Sequence, residues 1–144
     1  MLKSIHYLAI FFVVSCASSP KHTFQDYSET ASTFLGEEFD VQYVRSDGAI
    51  ADTTFISMSK GSGASNQSIL LAQRLNSTID KPYKVAIIGE NYSKNAVVVE
   101  SALNEMPERS GTSSTLVCFC SGKYRSSIRD AAQRVGVNIH YVVD

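Results

Sequence analysis

The sequence predicts an α/β fold, a small three-layer domain with a mostly parallel sheet built from repeated strand–helix units. Three observations predict it. Apolar runs that read as strands begin near Phe55, Val85 and Leu116, about 30 residues apart, the size of a strand–helix unit. Each run enters a loop of small residues and then a segment with helical periodicity. The runs Val85–Ile88 and Leu116–Phe119 are apolar on both faces, as strands of a parallel sheet are when helices cover it twice.

The elements follow in order. Ala17–Glu38 is rich in Ser and Thr with little apolar content, and reads as a tether with a short helix near its end. Phe39–Val44 alternates like a half-buried strand. Ser46-Asp47-Gly48 is a turn signal, and Thr54–Ser59 reads as the next strand. Helices are predicted over about Asn66–Ile79, Ser93–Met106 and Ser126–Val135. In the first, Leu71, Leu75 and Ile79 repeat at i+4; in the second, Val99, Ala102, Leu103 and Met106 share a stripe. In the third, Ile128, Ala131, Ala132 and Val135 lie at i, i+3, i+4 and i+7, and Gly136 is a natural stop. Ser and Asn ahead of the helices can cap free amides. Val137–Val143 alternates, which places it near a sheet edge.

Composition narrows the function classes. The chain has 144 residues, a net charge of -1 and no Trp, so electrostatics gives no case for nucleic acid. Of three His, one is in the N-terminal apolar segment, one (His22) in the tether and one (His140) on the last strand, and no pair has metal-ligand spacing. No metal and no cofactor is expected. No nucleophile elbow is present. Glu90 and Glu100 read as a loop carboxylate and a solvated helix charge.

The first residues carry a targeting signal. Lys3 is positive, and Ile5–Val14 is an apolar run of ten residues interrupted by His6. A bilayer core needs about 20. A charged start, a short apolar core and small residues at its end describe a secretory signal. The run ends in Val13-Val14-Ser15-Cys16, which resembles the lipobox of bacterial lipoproteins. That resemblance implies cleavage before Cys16 and acylation of its thiol and new amine. Three acyl chains would hold firmly where one holds marginally. Ala17 after the Cys, by the same resemblance, points to the outer membrane. The expected organisation is a signal peptide at 1–15, a lipid-anchored tether at 16–38 and a periplasmic domain at 39–144. The remaining Cys118 and Cys120 then face an oxidising compartment. A Cys-x-Cys pair shares one face of a strand; the reading is one buried thiol and one loop thiol rather than a disulfide.

Ligands of such folds bind beyond the carboxyl ends of the strands. Three loops are expected there: 60–66, 89–93 and 120–126. The last carries Cys120-x4-Arg125-Ser126 between a strand and a helix, and resembles the active loop of rhodanese sulfurtransferases. The resemblance implies a nucleophilic Cys120 and an anion cradle of loop amides. Lys123, Arg125 and Arg129 beside a helix N-terminus would favour a thiolate. The Asp-Val-Arg and Gly-His-Ile-Pro-Gly-Ala stretches usual in that family are absent from the sequence. Gly61 and Gly63 in the first loop, with Gly122, Lys123 and Ser126 in the third, are the candidate anion-binding residues. The first loop lacks the spacing of a P-loop. Ile56–Asn66 running into an Ala/Leu helix is similar to a strand, Gly-Ser-x-Asn and helix stretch in lipoproteins of Tad/Flp pilus assembly.

The function these features suggest is a non-catalytic docking component of an envelope assembly, such as a pilus or secretion system. It would be lipid-anchored to the outer membrane and bind protein partners on the periplasmic side. The alternatives are a rhodanese-like thiol enzyme using Cys120 and Arg125, and a periplasmic binder of a small anion.

Overall fold

A computed structural model of the chain describes residues 22–59, 63–76 and 83–143. The expected signal peptide at 1–15, Cys16, the start of the expected tether and Gly61 lie outside the described residues. The elements are α1 (Phe24–Leu35), β1 (Asp40–Tyr43), α2 (Ala49–Ser59), α3 (Asn66–Leu75), β2 (Lys84–Ile88), α4 (Tyr92–Glu105), β3 (Thr115–Phe119), a 3-10 turn (Gly122–Tyr124), α5 (Arg125–Val135) and β4 (Asn138–Val142).

The sheet is four-stranded, all parallel, and ordered β1-β2-β3-β4. Crossovers between parallel strands are right-handed. An order that never reverses therefore sends every crossover helix to the same face. The alternation of side chains shows this: Val85, Ile87, Leu116 and Cys118 join the core built with α3, α4 and α5. Ala86, Ile88, Val117 and Phe119 point the other way, onto α1. The three-layer α/β class predicted from the sequence is what forms, and β4 lies at an edge as its alternation implies.

Two expectations are corrected. The first concerns the tether. Residues 24–35 form a packed helix, so the folded unit begins ahead of residue 39. Its first turn carries a capping box, with Thr23 accepting from the Asp26 amide and Asp26 accepting from the Thr23 amide. Tyr27, Ala31 and Leu35 bury one stripe against the sheet, and the Tyr27 ring meets Phe119 edge-on at 4.9 Å. Phe34 stacks on His140 of β4 at 4.9 Å, leaving that ring half-buried. Three buried apolar positions in a Ser/Thr-rich stretch suffice because the sheet supplies the rest of the apolar surface. Thr23→Ala is expected to cost about 1 kcal/mol and to speed hydrogen exchange at the Asp26 amide. No change in either would place α1 outside the cooperative unit.

The second concerns Thr54–Ser59, which is the end of α2 and not a strand. Its β-branched and aromatic residues favour strands, but tertiary contacts override such preferences. Asp52, Phe55, Ile56 and Ser59 fall at i, i+3, i+4 and i+7 and turn inward, the first fully buried. The Thr53 and Thr54 hydroxyls donate to the carbonyls of Ala49 and Ile50, one turn back. The first crossover thus holds two helices, α2 and α3. The strand that was to open the first strand–helix unit is supplied instead by β1. In the stretch similar to the pilus lipoproteins, Ile56–Ser59 is likewise helical.

Candidate functional site

The loops beyond the strand carboxyl ends are 44–48 after β1, 89–91 after β2 and 120–121 after β3. The loop at 60–66, expected among them, joins α2 to α3 instead. Gly63 there adjoins a cleft lined by Ser59, Val97, Glu100 and Glu105. Two carboxylates oppose an anion, so the cleft is a poor match to the role expected of Gly63. Glu100 is a half-buried wall of this cleft rather than a fully solvated charge.

The densest polar grouping in the described residues stands where β1 and β2 end. Lys94, in the first turn of α4, is buried. Its Nζ donates to Asp52 Oδ1 at 2.8 Å, Asp47 Oδ2 at 3.0 Å and the Arg45 carbonyl at 2.7 Å. These use all three donors of an ammonium. Asp52, 1% exposed, also accepts from Ser46 Oγ at 2.6 Å, the Asp47 amide at 3.1 Å and Asn91 Nδ2 at 2.9 Å. Burial alone would raise the Asp52 pKa. The hydrogen bonds from Lys94, Ser46, Asp47 and Asn91 outweigh it and hold the carboxyl well below the usual carboxylate range. Burial would likewise lower Lys94, but bonding to Asp52 and Asp47 raises it. The Phe55 ring lies 5.1 Å from Nζ. Sequence reading took Ser46-Asp47-Gly48 only as a turn and did not single out Asp52, Asn91 or Lys94.

Chemically this is a closed junction. An ammonium with every donor engaged cannot serve as a general acid without breaking the contacts that hold α2, α4 and the β1 loop together. Asn95 extends the junction across the sheet: its Nδ2 donates to Gly89 O at 3.2 Å and Phe119 O at 2.8 Å, tying the ends of β2 and β3.

The loop after β3 departs from its expected chemistry. Cys120 and Cys118 are both buried and joined in a disulfide, their Cα atoms 5.3 Å apart. This replaces the expected buried thiol and loop thiol. A disulfide sulfur is not a thiolate, so the nucleophile the rhodanese resemblance implies is not displayed in this state. The cradle differs too. The amides of Cys120, Ser121, Tyr124 and Arg125 donate to the carbonyls of Val142, Tyr92, Ser121 and Gly122. Gly122 and Lys123 lie in the 3-10 turn, with Lys123 Nζ 4.9 Å from the Tyr124 ring centre. Ser126 is exposed inside α5 and does not cap it. Arg125 lies 5.9 Å over the Tyr141 ring and, with Arg129, His140 and Phe34, lines a cleft of about 260 Å³. Of the cationic residues expected near the loop, Arg125 and Arg129 thus share the flank of α5 and β4, while Lys123 stays in the turn that follows β3.

Closing a three-residue segment constrains the unfolded chain little, by about 1.6 kcal/mol in the loop-entropy relation. A thiol reductant is therefore expected to lower the thermal midpoint by about 5 °C. A fall several times larger would give the disulfide a role in shaping the strand end itself.

Among the described residues no group of three or more His, Cys, Asp or Glu could hold a metal ion, and no helix is long and apolar enough to cross a membrane. Comparison with known protein families, curated proteins and solved structures finds no match.

Proposed function

We propose that this chain is a lipid-anchored docking component of the bacterial cell envelope. Cys16 carries the acyl chains at the outer membrane, and the α/β domain stands on the periplasmic side as part of an assembly such as a pilus or secretion system. The anchor rests on the Val13-Val14-Ser15-Cys16 motif and the short apolar run before it. The observation that carries docking is α2. It is an apolar helix packed on α4, burying only Asp52 fully and leaving Met58 near its far end 60% exposed. An amphipathic or apolar helix face at a surface is one of the recurring features on which partner proteins dock. The engaged Lys94 and paired cysteines favour a framework role over catalysis.

The test has two arms in cells. Cys16→Ser is expected to release the protein from the membrane fraction. A photo-crosslinking residue at Met58 should give discrete adducts that one at Glu108, outside α2, does not. A membrane-bound Cys16→Ser protein, or equal adducts from both positions, would overturn the reading.

A second reading, a small-anion binder, is favoured by the cleft of Arg125, Arg129 and His140. It requires saturable stabilisation by phosphate that Arg129→Gln removes.

A further inference from the structure

We propose that the carboxyl rim of the sheet is the membrane-facing surface of the domain, with Phe24, Ile50 and Val143 contacting the lipid at the boundary of headgroups and acyl chains. The inference rests on the anchor at Cys16. Its basis is the direction of α1. At the start of that helix, the Tyr27 hydroxyl donates to the Gly89 carbonyl, just beyond the end of β2. His22, Asp26 and Tyr27 share a cleft with Val142 and Val143 at the end of β4. At the other end, Lys84 Nζ, on the first residue of β2, donates to the Leu35 carbonyl at 2.8 Å. The helix therefore runs antiparallel to the strands, and the chain ahead of it leaves from the carboxyl rim.

The length of that chain sets the reach. From Cys16 to Thr23 is seven residues, which span at most about 25 Å. The rim is then confined near the bilayer at high effective concentration, where weak partitioning suffices. The opposite rim lies a helix away, since the 14 residues of α4 rise about 21 Å.

Single exposed apolar residues are ordinary on surfaces. What distinguishes these three is position. Phe24 sits beside the point of exit, 61% exposed; Val143 follows β4; Ile50 opens α2 beyond β1 and is 86% exposed. The charges beside them nearly balance. Arg45 lies 3.7 Å from Asp47, which also binds Lys94, and Asp26 and Glu90 share the rim with Lys123. The fit is to an apolar boundary and not to a strongly anionic surface. A domain seated this way lays the rim where α/β proteins ordinarily take small ligands against the lipid, and turns the strand amino ends and the far end of α2 toward the periplasm.

The chain contains no Trp, so one introduced Trp reports alone. Acylated full-length protein carrying Ile50→Trp, Phe24→Trp or Glu108→Trp is placed in phosphatidylethanolamine–phosphatidylglycerol vesicles with brominated acyl chains, after its intact mass is measured. Glu108 marks the opposite rim, in the exposed loop before β3. Emission from Ile50→Trp and Phe24→Trp is expected to shift to the blue and fall at least twofold, with Glu108→Trp unchanged. Acylated protein quenched equally at both rims, or at neither, overturns the orientation alone. A blue shift of Ile50→Trp that grows with protein concentration without vesicles makes the occupant a second copy and also overturns it. An intact mass lacking acyl chains overturns the anchor, and the orientation with it.

Discussion

Lys94→Met is expected to be among the most damaging single substitutions in the domain, lowering the thermal midpoint by about 10–20 °C. The substitution keeps much of the side-chain volume and removes the charge. Asp52 is then left buried with Ser46, Asn91 and one amide but no cation. Breaking a buried pair from one side costs about 3–5 kcal/mol, because the stranded charge keeps its desolvation penalty. Replacing both partners, as in Lys94→Met with Asp52→Leu, should recover a large part of that loss. A double-mutant cycle by thermal unfolding measures the coupling. A loss under 1 kcal/mol in Lys94→Met would mean that the junction does not hold α2 to α4.

The same pair fixes the direction of the pH dependence. The Asp52 carboxyl is held below its unfolded value. Its contribution is complete above the ordinary Asp pKa of about 3.9 and is lost as pH falls from there toward the depressed folded value. The Lys94 ammonium is held above its unfolded value. Its contribution is complete below the ordinary Lys pKa of about 10.4 and is lost as pH rises through the folded one. Wild-type stability should therefore carry the full effect of the pair between those limits, and the acid limb should flatten in Lys94→Met.

Gly89→Ala is expected to cost about 3 kcal/mol, at the upper end of ordinary overpacking. A Cβ there would run into the carbonyl oxygen of Val44 and approach Asn95 Oδ1 to 2.7 Å. Neither neighbour can yield cheaply. Val44 is bonded to β2 through its own amide, 2.8 Å from the Ile88 carbonyl, and Asn95 is fastened to the ends of β2 and β3. The added methyl would force β1 away from β2 at the edge of the junction. Urea unfolding should show a lower midpoint with an unchanged slope. A midpoint equal to wild type would mean that the strand ends relax freely.

The fold was legible where one kind of residue carried the pattern. The apolar runs of β2 and β3 and the stripe Ile128–Ala131–Ala132–Val135 on α5 fall where the sequence places them. It was illegible where a polar residue took a core position. Helix α2 has a regular inward stripe, but Asp52 opens it, and an Asp is ordinarily counted as surface. With that position read as polar, Phe55, Ile56 and Met58 look like a strand. The junction was hidden for the same reason. Asp52 and Lys94 are 42 residues apart, and no local spacing joins a carboxylate on one helix to an ammonium on another. A buried ion pair becomes visible only when the fold brings its halves together. Helix α1 was legible only as a short helix ending a tether, because its three buried positions are adequate for packing only where the sheet face above them is already apolar. The loop at 120–126 was placed correctly as a strand-to-helix connection. Its chemistry was not, because a Cys-x-Cys spacing does not reveal whether the two sulfurs are joined.

The order β1-β2-β3-β4 has a consequence for how the domain comes into being. Every strand pairs only with the strand before or after it in the chain, as repeats do in a solenoid. Closing each successive pair spans one crossover and no more, so the loop-closure entropy is met in small instalments. Such a sheet can be assembled in the order of synthesis, each unit docking on a template that already exists, without waiting for a distant segment to arrive. The exception is the far face, where α1, the first of the described elements in chain order, can be seated only after β2 and β3 have formed beside it.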